Sequence, residues 1–446
     1  SPTAARAPRC SRVTPMSQDP PTREIPLPLT GSIPLPVDTP DVSATKPPSR
    51  LWWILMVSAG GILTAMTFPG QTAGLSPFTD PLLENLAIDR TAISLSYLIA
   101  TLAGAATMPI LGRLMDKYGA KRTILWIGIV LSLVLLGASF ITEILGLTFS
   151  YVGLRMTGQG ALSLAATTLI ARTVTHRPGL ALGIVGAAGS AGISLAPVAV
   201  ERVIAWSDVA TAWRLESALV ALVVIPIALA LPRDRPRLTT DTGTHIVIVP
   251  ESGHTVAQAL RTGMFWVIAA AGFTVGMMST GLSFHLISIL GEQGLTPLEA
   301  ASNFIPQTVT ALLATLGLGA VVDRIDPRWG VVASMVTMAG SLILVPFVSP
   351  GVSAIIFGLV LGAAMGALRG VEAAAFVRYY GRGHIGSIRG IATSIILAST
   401  ALGPLYFAVG HNLTGSYALA SSLGALLPAL VAMSAIFIKP PVSLAS

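Results

Sequence analysis

Charge is scarce in this chain. Of its 446 residues only 11% are Asp, Glu, Lys or Arg, while 53% are hydrophobic. A soluble protein of this length needs about 25% charged residues to cover its surface, so a water-soluble fold is excluded. Cysteine is almost missing. Cys10 stands alone in an N-terminal tail, which excludes a disulfide framework and a thiolate metal centre. No Walker phosphate loop, H-E-x-x-H pair or nucleophile elbow occurs, so neither an ATP-driven pump nor a common hydrolase is expected. No His cluster or carboxylate pair converges within the apolar runs as catalysis requires, so the chain is not read as an enzyme, and no cofactor or metal is expected. The net charge is +7, yet no basic patch is interleaved with aromatics, and a nucleic-acid partner is not expected.

What fills the chain instead is a series of apolar runs near the roughly 20 residues needed to cross a bilayer. In lipid such runs must be helices, because each backbone N–H and C=O needs an internal partner. Twelve spans are predicted, at 51–75, 91–111, 123–142, 148–171, 180–200, 213–231, 263–290, 299–321, 330–348, 352–377, 386–408 and 417–438. The fold class is therefore all-α membrane protein. Residues 1–50 carry twelve of the 31 prolines and no apolar run, and read as a disordered tail in which Met16 is a candidate start. Residues 233–262 read as a linker between a bundle at 51–232 and a second at 263–438, with a short tail at 439–446.

Alternate loops differ in charge. Arg113, Lys117, Lys121, Arg122, Arg172, Arg177, Arg324, Arg328, Arg378, Arg382 and Arg389 fall with the linker on one set; Asp80, Glu84, Asp89, Glu143, Glu201, Asp208, Glu292 and Glu299 fall on the other. The positive-inside rule predicts that the basic loops and both termini are cytoplasmic, in a plasma membrane, with a bacterial inner membrane the expected setting.

The halves repeat one another. Gly112–Arg122 reads GRLMDKYGAKR, and a degenerate copy, GAVVDR, stands at Gly319–Arg324, an offset of 319 − 112 = 207 residues. The same offset relates Asp116 to Asp323, Lys117 to Arg324, Gly183 to Gly390 and Pro197 to Pro404. Two pseudo-symmetric six-helix bundles around a midplane site are an architecture of secondary transporters.

GRLMDKYGAKR resembles the signature loop of the major facilitator superfamily, and LRMTGQGA at Leu154–Ala161 resembles that family's fourth-span pattern. RPGLALGIVGAAGSAG at Arg177–Gly192 and RYYGRGHIGSIRG at Arg378–Gly390 are similar to the monocarboxylate transporter and oxalate–formate antiporter branch. The resemblance implies alternating access, a cavity lined by the first, fourth, seventh and tenth spans, and a gating role for Gly112, Asp116, Lys117, Gly119, Lys121 and Arg122, with Asp323 and Arg324 as a weaker copy. The chain departs from that branch where the eighth span lacks its Arg and the core of the eleventh lacks its Lys.

Seven further residues are candidates for substrate binding or proton coupling. Arg155 is a charge inside the fourth span, where insertion costs on the order of 3 kcal/mol, so it is expected in the bundle or cavity rather than snorkelling. Arg369 and Glu372 are one turn apart in the tenth span and can pair, with Glu372 the candidate proton acceptor. His285, in the seventh span near Gly276 and Gly281, suits a proton-linked or packing role. Gln71, Asn303 and Gln307 can bind a polar solute or bridge helices. The expected function is proton-coupled transport of a small organic anion such as a monocarboxylate, by symport. The alternatives are a drug or metabolite exporter of the same fold and a non-transporting sensor. No obligate protein partner is evident.

Overall fold

The computed structural model describes residues 50–174, 176–232, 253–322, 324–381 and 384–441. The expected tail at 1–49, most of the linker, Asp323 and the side chain of Asp116 lie outside that set. Eleven helices among the described residues are long and apolar enough to cross a membrane: α1 (Arg50–Gly70), α2 (Arg90–Met108), α3 (Lys117–Ala138), α5 (Leu180–Trp206), α6 (Val209–Ala230), α7 (Gly263–Phe284), α8 (Pro297–Val322), α9 (Pro327–Phe347), α10 (Val352–Tyr380), α11 (Ser387–Thr414) and α12 (Tyr417–Phe437). The expected fourth span, α4, is an unbroken helical run through 144–173. It is α-helical over Ile144–Leu154, wound as a π-helix over Arg155–Leu162, and α-helical again over Ser163–Thr173. Its polar centre, RMTGQG, is what sets it apart from the other eleven.

Local sequence explains where these helices start. The loops with acidic character supply N-caps: Asp89 accepts from the Ala92 amide at 2.8 Å, and Asp208 accepts from that of Thr211 at 2.6 Å. Thr296 and Glu299 form a reciprocal capping box at the start of α8. A carboxylate at a helix start meets orphan N–H groups and the positive end of the dipole. For Asp208 the amide and hydroxyl of Thr211 hold its pKa below the usual carboxylate value. From α2 through the start of α3 the backbone stays helical except at Gly119, near the start of α3, which turns at φ 81°, ψ 164°. A side chain there would be strained, which accounts for the second glycine of the signature loop.

Buried apolar side chains form two cores. One comprises residues of α1 to α6 with Phe284 reaching across from α7, and the other comprises residues of the described chain from Ala259 to Ala435. The first part of the second core is preceded by a short helix, Val256–Leu260, within the expected linker. It docks on the end of α10, where the His254 amide donates to the Tyr380 carbonyl at 2.9 Å.

Helix contacts depend on small residues, as expected for membrane bundles. The glycines of α5, spaced by three, are divided. Gly189 and Gly192 press against Thr64 and Ala65 of α1, whereas a Cβ at Gly183 or Gly186 would meet nothing within 4 Å. A second stripe, Gly358, Gly362, Gly366 and Gly370 of α10, lies against α8, touching Asn303 and the carbonyls of Gln307, Ala311 and Thr315.

Hydrogen bonds between the halves, among the described residues, run from the midplane to the acidic-loop end. Ser288 donates to both oxygens of Asp80 (2.7 and 2.8 Å), Arg90 donates to Ser288 at 3.1 Å, and Asn412 donates to Asp89 at 3.2 Å and Thr91 at 2.8 Å. Ser194 of α5 meets Thr308 of α8 near the midplane. At the basic-loop end the bonds stay within one half: Lys121 donates to the Leu229 and Leu231 carbonyls (2.6 and 2.7 Å), and Arg378 to that of Val322 (3.0 Å) and to Ile325. Among the described residues the halves are hydrogen-bonded, or latched, at the acidic-loop end and unlatched at the basic-loop end.

Candidate functional site

Arg369 is the charge that marks the cavity. It sits 11 residues before the end of α10, about 16 Å from the basic-loop end at 1.5 Å per residue. Its side chain is exposed. Within a membrane span, a charge is accommodated far more cheaply by a water-filled recess between the helices than by lipid. The glycine stripe of α10 faces α8, and Arg369 stands off that face, directed away from the tight contact. No ion pair or hydrogen bond engages it among the described residues.

The expected pairing with Glu372 is not made. The cation acting on Glu372 is Arg389 of α11, and Glu372 itself is half-buried. One turn of spacing brings the two Cβ atoms near each other, but long side chains on α10 can diverge, one into the recess and one toward α11. Besides Arg378, which is engaged by the Val322 and Ile325 carbonyls, α10 and α11 thus carry Arg369, Arg389 and the single carboxylate Glu372, a net positive charge toward the basic-loop end.

Arg155 is in the bundle, as expected, and is 2% exposed. It opens the π-helical stretch of α4, donates to the Gly70 carbonyl at 3.1 Å and lies 4.7 Å from the centroid of the Tyr97 ring. Its Nε has no partner. The Gly70 carbonyl belongs to the 3₁₀ turn Phe68–Gly70 that ends α1, where Pro69 interrupts the helical ladder. Gln71 follows that turn and donates to Thr67 at 3.1 Å, while Thr72 meets the Tyr97 hydroxyl at 2.7 Å. These residues fix the broken end of α1 against α2 and α4.

His285 lies at a break in the seventh span, between Phe284 and the short helix Leu286–Glu292. The break falls after Gly276 and Gly281 rather than at them. The ring is fully buried at the latched end. Nε2 is 3.2 Å from Ser94 and 3.1 Å from the Pro404 carbonyl, and Nδ1 is 3.2 Å from the Tyr417 hydroxyl. Arg90 lies over the Tyr417 ring and pairs with Asp80 at 2.8 Å. His285 is thus part of the latch and is remote from Arg369. Asn303 and Gln307 are also away from the recess. Asn303 donates to the Ala354 carbonyl at 2.6 Å and accepts from Gln307 at 2.9 Å, so the pair bridges α8 and α10.

The profile of the Major Facilitator Superfamily matches residues 59–404. The chain belongs to that superfamily. Its fold agrees with that of a bacterial homologue of the human lysosomal transporter Spinster in an inward-facing, occupied conformation (TM-score 0.69, 14% identity, 87% of this chain and 97% of that one). It agrees equally with the nucleoside transporter NupG (TM-score 0.70, 14% identity, 86% and 98%). In sequence it is similar to the MFS-type transporter YhjX of Escherichia coli (strain K12), itself uncharacterized, at 24% identity over 304 residues, 66% of this chain and 72% of that protein. As a member of this superfamily the protein is a secondary transporter of small solutes across a membrane and not an enzyme.

In the superfamily's signature loop, Lys121 caps the last carbonyls of α6, a favourable place for a cation. Lys117 lies over the neighbouring Tyr118 ring, and Arg324 is exposed. Sequence reasoning missed three groups. Arg389 was read only as a loop charge, although its position two residues into α11 makes it a cavity neighbour of Glu372. The stripe Gly358, Gly362, Gly366 and Gly370 was visible as a spacing of four. Glu216, a carboxylate inside the sixth span, was visible as a charge in an apolar run.

Proposed function

We propose that this transporter carries a small organic anion, such as a monocarboxylate, with a proton as coupling ion. The observation that carries the reading is Arg369, a cation within α10 that has no ion pair among the described residues. A guanidinium offers a carboxylate two parallel N–H donors, and a buried site strengthens that pairing. Family resemblance pointed to an anion but left the eighth and eleventh span cores without a cation; α10 and the start of α11 supply it. Glu372, facing Arg389, is the group that would take up the coupling proton, so that an anion and a proton cross together without net charge. With the basic loops in the cytoplasm of a plasma membrane, the unlatched end faces the cytoplasm. The solute would exchange there, and the latch of Asp80, Arg90 and Ser288 would part in the alternate state.

The test uses proteoliposomes loaded with a pH-sensitive dye. Monocarboxylates, dicarboxylates, amino acids and a nucleoside are added singly. Acidification faster than in empty liposomes for one class of acid, lost in Arg369→Gln, is the expected result. No proton movement with any acid, or movement indifferent to Arg369→Gln, would overturn the reading and favour exchange or export of an uncharged or cationic solute.

A further inference from the structure

A groove separates α3 from α4 at the acidic-loop end. The two helices are in close contact at Val134 and Gly153, where a Cβ on Gly153 would stand 2.8 Å from Val134 Cγ1. Nearer the loop they part. A Cβ on Gly137 would meet nothing within 4 Å, and one on Gly146 would meet only Ile141, at 3.9 Å. The resulting wedge has a volume of about 380 Å³, within the range of small-molecule sites, and is lined by Val134, Gly137, Phe140, Glu143, Gly146 and Phe149 among others. Phe140 and Phe149 are exposed, as are the nearby Leu133, Leu136 and Leu145, so the surrounding surface is one that hydrocarbon covers. The span of α3 ends at Ala138, which puts Glu143 where apolar helix gives way to loop. Glu143 is exposed and stands at the N-cap of α4 without capping it, and no hydrogen bond or ion pair engages it among the described residues. Arg214 of α6 adjoins the groove: its Nε donates to the Ser139 hydroxyl at 3.4 Å, and its guanidinium lies 5.5 Å from the centroid of the Phe140 ring.

The groove therefore joins three features at the edge of the bilayer: an apolar wall, an unpaired carboxylate and a guanidinium with N–H donors to spare. The wall suits an acyl chain. The guanidinium fork suits phosphate oxygens, and the carboxylate suits a cation that can donate hydrogen bonds. We propose that this groove binds a phospholipid with a primary-ammonium headgroup, its ammonium on Glu143, its phosphate on Arg214 and an acyl chain along Phe149 and Val134. A quaternary ammonium has no N–H to donate, so an ethanolamine headgroup is preferred to choline. A glycerol headgroup brings a net negative charge beside Glu143 with nothing to offset it, so an anionic phospholipid is disfavoured.

The experiment compares headgroups on one acyl chain. Full-length protein is placed in nanodiscs of phosphatidylcholine and phosphatidylglycerol, doped equally with phosphatidylethanolamine, phosphatidylcholine or phosphatidylglycerol bearing a diazirine on the acyl chain. After illumination, lipid adducts on residues 133–150 are quantified by mass spectrometry, with α12 as the reference surface. The ethanolamine lipid should label residues 133–150 about threefold more than either other lipid, the size of an exposed ion pair, while α12 labels equally with all three. Glu143→Gln should bring the ethanolamine lipid down to the choline level. Gly146→Leu fills the wedge, keeps Glu143 and should lower labelling by all three. Equal labelling by ethanolamine and choline lipids in the unaltered protein would overturn the proposal, as would a preference that survives Glu143→Gln. A preference for the glycerol lipid would overturn it too, by making Arg214 the sole determinant, and so would labelling indifferent to Gly146→Leu, which would put the lipid outside the groove.

Discussion

Gly70 and Gly158 lie backbone to backbone. A Cβ on Gly158 would stand 2.9 Å from both the Cα and the amide nitrogen of Gly70, and one on Gly70 would stand 2.6 Å from the Gln159 nitrogen. The broken end of α1 is thereby seated in the π-helical centre of α4. Arg155, at the start of the same stretch, donates to the Gly70 carbonyl that the break has freed. The fourth-span glycines resemble a family pattern in sequence; in the fold they are the surface that receives α1.

That contact yields a stability prediction. In Gly158→Ala the opposing atoms are backbone and cannot rotate aside. Thermal unfolding in detergent should show a loss of about 1–3 kcal/mol, the usual cost of overpacking. Gly186→Ala is the matched control, since its Cβ meets open space inside a helix, and should match the parent or gain up to about 1 kcal/mol. Equal stability of the two variants would show that α1 is not seated in this way.

The latch predicts a shift between states. Asp80 joins Arg90 of its own half to Ser288 of the other, with side-chain exposures of 35% for Asp80 and 22% for Arg90. Solvent screening at that exposure limits the pair to on the order of 1 kcal/mol, enough for a several-fold change in a two-state population. With Cys10 replaced by Ser, Ser76→Cys provides a probe: Ser76 is 1% exposed and its hydroxyl has no partner to lose. Asp80→Asn should speed maleimide labelling at that cysteine several-fold. Unchanged labelling would mean that the end stays closed without the charge.

How much of this was legible beforehand depended on whether a property is one of composition or of approach. The number of spans, the acidic and basic loop ends and the two halves follow from hydropathy, charge and the 207-residue offset, and the spans other than the fourth are found as single apolar helices. The π-helical centre of α4 was not legible, because neither hydropathy nor charge carries a sign of π winding or of the approach of α1 to Gly158. For Asn303 and Gln307 the sequence left solute contact and a helix bridge equally open. Their use as a bridge is set by the stripe of α10 glycines opposite, which lets the helices close to within hydrogen-bond reach. His285 was legible as a histidine of either proton-linked or packing role in the seventh span, but its place in the sequence gave no sign that Ser94, Pro404 and Tyr417 would enclose it at the latched end. Spacing alone also suggested an Arg369–Glu372 pair; the partner that displaced it, Arg389, comes from a different helix.

The separate orientations of Arg369 and Glu372 predict separate defects. Arg369→Lys keeps a cation but loses the planar two-donor fork, so solute affinity should fall while proton coupling persists. Glu372→Gln keeps the shape but removes the exchangeable proton. It should leave solute-driven counterflow intact while abolishing uptake driven by a pH gradient. Counterflow and gradient-driven uptake in the same proteoliposomes distinguish them. If both variants lose both activities alike, the two residues act as one structural unit, against the divergent arrangement seen here.

Gly183 and Gly390 are related by the 207-residue repeat, at the unlatched ends of α5 and α11, and a Cβ at either would meet nothing within 4 Å. Glycine without a neighbour contributes no packing and raises the entropy lost on folding, by roughly 0.5–1 kcal/mol relative to Ala in a helix interior. Its retention at both symmetric places makes sense if the space is filled in the other state, when the basic-loop end closes and the halves meet there. Gly183→Leu and Gly390→Leu should therefore unfold no more readily than the parent, yet slow transport by about tenfold or more through a steric block on closure, an effect on the order of 1.4 kcal/mol on one state alone. Counterflow rates and thermal unfolding measured side by side decide the matter. Parental transport in both leucine variants would show that the basic-loop end closes without bringing these helix faces together.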